Sequence, residues 1–478
     1  MSILSTIFLV SFASFLIVYW LLKDKLNWQN VLVLVASYCF YSLINWHFSF
    51  LLLFTSLSVY CAGVVFSEYR TNKTLTKVVL ILTIIIDVGI LFLFKYYDFF
   101  AKELAAFLGV NGDGLLLHLL LPVGISFYTF TSLGYAIDVY NGKTPASRSI
   151  IQLFSFIAFF PLLLSGPIER SDGLLRQFKN KRVFDYSLIA DGLQQAVWGV
   201  FKKLVIADNL AVVVSQAFSN YNTIPASSLL IGAFFYSFQI YFDFSGYSDI
   251  AVGMCKLMGF RVRRNFHYPY FALNVADFWK RWHMSLQSWL MEYIYFPLGG
   301  SRGTKAKTLI NTFIVFGICG LWHGANWTFI AWGIYHAVLF IPLILFCSKQ
   351  FRKTTVNEDK PFPSLREIVL ICINFVFITI GWILFNAPNI DVATGYIANI
   401  FNASLFALPT GIGLGERKSF YVCLLLVVLL AFEWSQRSKE HPMQFRAPGW
   451  LKVIIMYVFV FLIIFCSAAQ SDFIYYQF

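Results

Sequence analysis

Val78-Val79-Leu80-Ile81-Leu82-Thr83-Ile84-Ile85-Ile86-Asp87-Val88-Gly89-Ile90-Leu91-Phe92-Leu93-Phe94-Lys95 is a run of eighteen residues with a single charge, Asp87, before its closing lysine. A helix needs about 17–25 such residues to cross a bilayer. A helix packed on a soluble core would show polar residues at every third or fourth position for its outer face, and this run does not. It therefore reads as a membrane span. Working outward, apolar runs recur at 3–22, 31–46, 48–66, 120–140, 149–165, 190–216, 226–258 (long enough to hold a break), 308–320, 326–347, 365–386, 419–434 and 451–468. The alternation of a β-barrel is absent, so the spans should be helical. The expected class is all-α: a polytopic integral membrane protein with about 11–13 transmembrane or re-entrant helices.

Composition agrees. Of 478 residues, 59% are hydrophobic, 19% aromatic and 13% charged, against about 25% charged in soluble domains; the mean hydropathy is +0.70. The net charge of +12 could point to nucleic acid, but its placement argues against that. Basic residues gather between spans, as at Arg70, Lys73 and Lys77, at Arg170 to Arg182, at Arg261, Arg263 and Arg264, at Lys349, Arg352 and Lys353, and at Arg437 and Lys439. Alternate loops such as Asn45-Trp46-His47 are nearly neutral. By the positive-inside rule the basic loops face the cytoplasm and the N-terminus lies outside. Eight cysteines are scattered singly without metal spacing and read as buried small hydrophobes. The N-terminal run lacks a basic leader and reads as a retained span.

The chain divides by texture into residues 1–120 (packing helices), 121–345 (a catalytic core holding the unusual polar groups) and 346–478 (packing helices again), all within one integral membrane domain. Helix breakers stand near membrane depth at Pro122-Val123-Gly124 and Ser165-Gly166-Pro167-Ile168-Glu169; such breaks persist where the freed backbone is buried or meets water. The stretch Trp279 to Gly300 is aromatic and amphipathic, as if lying partly along the membrane. Six of thirteen tryptophans fall between Trp279 and Trp332, which predicts an aromatic wall around whatever chemistry sits there.

Two histidines carry that chemistry. One is in Asp277-Phe278-Trp279-Lys280-Arg281-Trp282-His283-Met284-Ser285, the other in Gly320-Leu321-Trp322-His323-Gly324-Ala325-Asn326-Trp327. An ionisable group at bilayer depth is costly without a partner or cavity, and imidazole suits proton transfer near neutral pH. For His323 the bland alternative is a packed ring bonded to a carbonyl at a helix break. Gly320 and Gly324 allow close backbone approach, and Trp322, Asn326 and Trp327 supply walls and hydrogen bonds, which favours function. A helix rising about 20 Å from Thr308 to Gly320 would bring His323 to a break between the midplane and the outer face. His283 stays open between a second catalytic group and an anchor beside the Asp277 and Arg281 charges. Asp243 and Asp249 read as braces of a broken helix, Asp87 as a packing residue, and His47, His118, His267 and His441 as surface or interface residues. Gly299-Gly300-Ser301-Arg302-Gly303 matches G-x-S-x-G, but a nucleophile elbow needs a strand and sheet; it reads as a basic turn.

Several motifs resemble the membrane-bound O-acyltransferase (MBOAT) superfamily, and within it the bacterial alginate O-acetyltransferase branch. They are Leu121 to Tyr128, Ser165-Gly166-Pro167-Ile168, Asp243-Phe244-Ser245-Gly246-Tyr247-Ser248-Asp249, Asp277 to His283, Tyr295-Phe296-Pro297-Leu298-Gly299-Gly300, Leu321 to Trp327 and the terminal Phe473 to Phe478. One departure is Met291-Glu292-Tyr293, where the branch commonly has Arg-Asp before the tyrosine. The resemblance implies a multi-helix bundle around a central funnel, with His323 as the essential histidine and His283 as the second polar position. It implies acyl transfer from a cytoplasmic donor, acetyl-CoA, to a hydroxyl of a cell-surface or exported polysaccharide, with no permanently bound cofactor and no metal. Trp282, Trp322, Asn326, Asp277, Arg281 and Ser285 would shape the substrate site. The expected partners are the lipid bilayer, an extracytoplasmic acetyltransferase or glycan-export proteins, and the polysaccharide acceptor, with no nucleic acid. The expected location is the inner or plasma membrane. Rival readings are a D-alanyl transferase to teichoic acids and, from another class, a proton-coupled exporter, which would be expected to show paired half-repeats.

Overall fold

The computed structural model describes residues 4–348, 350–357, 360–413, 416–471 and 473–474. Lys349 and the terminal residues 475–478 of the last quoted motif lie outside the described residues. The chain folds as two compact units, residues 1–196 with 251–263, and 197–250 with 264–478.

Every regular element among the described residues is helical. In chain order the α-helices are α1 (Thr6–Leu21), α2 (Leu26–Ile44), α3 (Trp46–Glu68), α4 (Lys73–Lys95), α5 (Tyr97–Leu108), α6 (Ile125–Tyr140), α7 (Ile150–Ile157), α8 (Phe160–Leu163), α9 (Arg176–Phe178), α10 (Tyr186–Phe201), α11 (Asp208–Ser219), α12 (Ala226–Leu257), α13 (Val275–Arg281), α14 (Met284–Leu290), α15 (Lys305–His323), α16 (Trp327–Leu345), α17 (Leu365–Asn386), α18 (Ile390–Ile400), α19 (Glu416–Ser435) and α20 (Gly449–Cys466). Of these, α3, α4, α16, α17 and α20 are long and apolar enough to cross a membrane. The protein is a multi-pass membrane protein. Large apolar side chains exposed along these helices, such as Ile85, Phe54, Val376 and Phe461, are the surface a bilayer would cover.

In the first unit the expected span 149–165 is interrupted within itself, ahead of the breakers at 165–169. Helix α7 stops at Ile157, and α8 restarts at Phe160 with a proline in its first turn, where the missing N–H costs nothing. The freed Phe160 N–H donates to Ser37 Oγ at 3.2 Å, and residues 158–171 are all buried. The backbone at the break is thus satisfied inside the protein, as a lipid environment demands. Gly124 opens α6 in the left-handed region (φ 79°), and a Cβ there would collide with the Leu163 carbonyl. Arg182, counted among the basic loop residues, is in fact buried, with Nε on Gln29 Oε1 (3.0 Å) and Nη2 on Asn30 Oδ1 (2.7 Å).

Three expectations change. The run 226–258 is one unbroken helix, α12, whereas 190–216 carries the irregularity: a π-helical segment, Lys202–Ala207, joins α10 to α11. Asp243 and Asp249 therefore brace that segment rather than a break in their own helix. Lys203 Nζ lies 2.7 Å from both Asp243 Oδ1 and Asp208 Oδ1, and Lys202 Nζ lies 2.5 Å from Asp249 Oδ2. A π turn leaves the ladder irregular, and buried charges need partners; the two needs are met together. Second, His441 is buried rather than at the surface. Third, only Cys255 and Cys319 are buried in protein; Cys39, Cys61, Cys372, Cys423 and Cys466 lie on outer faces of helices.

Candidate active site

The second unit gathers both singled-out histidines. Helices α15 and α16 cross where Gly320 meets Gly333: a Cβ on Gly320 would strike the Phe329 carbonyl, and one on Gly333 the Phe316 carbonyl. Only glycine lets two backbones approach so closely. Three residues past Gly320, α15 ends at His323, followed by extended Gly324 (φ −175°). The Asn326 Oδ1 then accepts from Thr328 N at 3.0 Å and caps the start of α16.

His283 is placed differently. It is the second residue of a two-residue joint, Trp282-His283, between α13 and α14, with φ 43° and ψ 52°, a left-handed conformation rare outside glycine. Neighbours hold the joint. Met284 N donates to Asn265 O (2.8 Å), Ser285 Oγ to Asn265 Oδ1 (2.5 Å), and His267 N to Arg281 O (2.9 Å). Arg281 Nε pairs with Asp277 Oδ1 at 2.9 Å, one helical turn apart, while Asp277 Oδ2 accepts from Leu273 N. Strain of this kind, held by surrounding bonds, is typical of functional positions.

The two imidazoles flank one indole. Trp322 lies 5.7 Å from the His283 ring and 4.9 Å from the His323 ring, centroid to centroid. His323 also meets the rings of Trp332 (5.0 Å) and Phe385 (5.1 Å), nearly perpendicular to both, and His283 meets Phe244 at 4.8 Å. Trp282 closes the wall against Trp382 at 4.7 Å and Phe278 at 5.5 Å. His283 and His323 are 1% and 3% exposed, so the water that would compete for a transferred proton or acyl group is largely excluded.

The structure thus brings His283, Trp322, His323 and Trp282 together. It gives Asp277, Arg281 and Ser285 the task of fixing the His283 joint. Asn326 is a cap, its Nδ2 donating to the Pro388 carbonyl at 2.9 Å rather than turning to the histidines. Trp327, expected as a wall, is 49% exposed. The stretch from Trp279 onward is two short helices and a π-helical turn, Met291–Tyr295, with Trp282, Trp289 and Leu290 buried. Gly299, Gly300 and Gly303 all have positive φ, as a turn requires and a nucleophile elbow does not. Two site residues were missed: Asn265, in a loop with no motif, and His336, inside an apolar span. The spacing of Trp332 and His336, one turn apart on the helix after His323, was the available signal. Among the described residues no three His, Cys, Asp or Glu side chains converge as metal ligands.

Residues 83–386 match the MBOAT, membrane-bound O-acyltransferase family. The chain is 37% identical over 457 residues to the probable alginate O-acetylase AlgI of Pseudomonas aeruginosa, covering 93% of this chain and 83% of that one. It is 30% identical over 526 residues to the peptidoglycan O-acetyltransferase of Helicobacter pylori, covering 98% and 95%. Similarity to the teichoic acid D-alanyltransferase of Bacillus subtilis is 31% over 277 residues, covering 55% of this chain and 68% of that one. An exporter is thereby set aside: with its paired histidines around one indole and its end-to-end similarity to acetylases, the chain belongs to the membrane-bound O-acyltransferase family and is an O-acyltransferase.

Proposed function

We propose that this enzyme moves an acetyl group from acetyl-CoA, entering from the cytoplasm, to a hydroxyl of a cell-surface or exported polysaccharide. His323 takes the proton from the attacking hydroxyl as its oxygen bonds to the thioester carbonyl carbon. The carbon–sulfur bond then breaks, and the proton returns to the departing thiolate. His283, which packs against the same Trp322 ring, polarises the carbonyl or orients the donor, while Trp282 and Trp322 shape the acyl pocket. The basic loops between spans attract the donor's phosphates, with the N-terminus outside and the protein in the inner or plasma membrane. An extracytoplasmic acetyltransferase or export protein takes up the product side.

The observation that carries this reading is the placement of two buried imidazoles against the same indole, Trp322, at 5.7 and 4.9 Å. The acetyl branch is preferred over D-alanyl transfer because the acetylase relatives match nearly the whole chain and the D-alanyltransferase about half. The test is mass spectrometry of surface polymers from a deletion strain carrying the wild-type gene or His323→Ala. Loss of acetyl esters with normal membrane insertion is expected. Undiminished esters in the variant would refute the role of His323, and lost alanyl esters would favour the teichoic acid reading.

A further inference from the structure

We propose that His336 is a positioning residue for His323, acting through Trp332; this rests on the reading of His323 as the reactive imidazole. Helix α16 sets Trp332 and His336 one turn apart on a single face, both 0% exposed. Trp332 has two imidazoles against it, His323 at 5.0 Å and His336 at 5.0 Å, with interplanar angles of 88° and 75°. His336 is in turn fixed from two directions. Trp279 Nε1 donates to its Nδ1 at 3.3 Å, and the Trp279 ring stands 5.0 Å away at 88°. On the opposite side, any Cβ at Gly381 of α17 would come within 2.9 Å of His336 Nε2, so the glycine leaves room for the ring.

An indole N–H is only a donor, so Nδ1 must carry the lone pair and a neutral ring has its proton on Nε2. That Nε2 has no acceptor among the described residues. A buried donor left without an acceptor is destabilising, and one long hydrogen bond does little to offset it. Leucine or phenylalanine would fill the same space without that penalty. For stability alone a histidine is a poor choice here. What it provides is a directed bond that orients Trp279 and, through the 5.6 Å contact between Trp279 and Trp332, holds the wall against which His323 rests.

The test uses membranes of a deletion strain expressing the full chain, with labelled acetyl-CoA and the native polymer. His336→Leu removes the acceptor for Trp279; His336→Asn retains one near the Nδ1 position. His336→Leu should lower kcat about 10- to 100-fold, the scale of a slightly misplaced group, leave KM for acetyl-CoA within about twofold, and move the acidic limb of the pH profile. His336→Asn should recover most of the rate and the wild-type profile. Gly381→Ala, which presses on Nε2, should lose part of it. The indole N–H band of Trp279 in ultraviolet resonance Raman spectra should shift in His336→Leu and not in His336→Asn. A wild-type rate in His336→Leu, or equal losses in the Leu and Asn variants with an unmoved pH profile, would overturn the proposal. An active His323→Ala control would instead sink the reading of His323 itself.

Discussion

Helices α4 and α16 are both apolar, both span length, and physically unlike. In α4 the hydrophobic window is 17% buried, and Gly89 has no heavy atom within 4 Å of where a Cβ would stand. Its one mid-span charge, Asp87, is buried and accepts from Ser58 Oγ at 3.1 Å. In α16 the window is 44% buried, Gly333 is wedged against the backbone of α15, and Trp332 and His336 pack around His323. Hydropathy marks both as membrane helices. What separates scaffold from site is close backbone approach and the number of partners each polar group has.

Buried charges should show the contrast most strongly. Asp243→Asn leaves Lys203 with Asp208 as its one carboxylate partner, beside its bonds to Ser471, and should cost about 3–5 kcal/mol in the unfolding of the purified protein in detergent. Asp87→Asn keeps an acceptor for Ser58 and should cost less than about 1 kcal/mol; similar losses in the two would erase the distinction. Next come the glycines. Gly320→Ala forces α15 from α16 and should cost about 1–3 kcal/mol along with most activity. Gly317→Ala, on the same helix with open space around it, should be neutral or gain up to about 1 kcal/mol. Asn265→Ala removes the acceptor of the Ser285 hydroxyl bond but leaves the Met284 bond to the residue 265 carbonyl, so a loss of about 1–2 kcal/mol is expected, with activity falling further than stability.

The last effect is read against pH. Burial pushes the Glu169 carboxyl, in the loop after α8, up from 4.5 to about 7, against an opposing hydrogen bond from Arg263 N. Its folded-state pKa is raised, so the stabilising contribution is complete below pH 4.5 and disappears as pH climbs through about 7. Thermal melts of wild type should fall across that window, and those of Glu169→Gln should fall less. Parallel curves would mean that the carboxylate is charged throughout.

Most spans were legible because lipid imposes a length and a composition that local sequence must obey. The run 365–386 coincides with α17. Elements whose existence depends on tertiary contact were not legible. The short α5 and α18 have no span-length run, and the π-helical Lys202–Ala207 owes its shape to carboxylates on α12 that lie some forty residues away. Within the site, His283 and His323 stood out because tryptophans surround them in sequence. His336 did not, since its partners Trp279 and Gly381 are distant in the chain. The capping role of Asn326 was not legible, because an amide that serves a neighbouring histidine and an amide that caps a helix look alike until the backbone direction is known.

The left-handed backbone at His283 has a practical corollary for dissecting the enzyme. Alanine scanning there would confound two losses, since alanine drops the ring and still pays the conformational penalty of positive φ. Asparagine tolerates that conformation and glycine is at ease in it. Ranking all replacements at 283 by protein yield would therefore sort them by torsional tolerance, while ranking them by turnover would sort them by chemistry. Agreement between the two orders would mark the residue as a hinge pin, and divergence as a reagent.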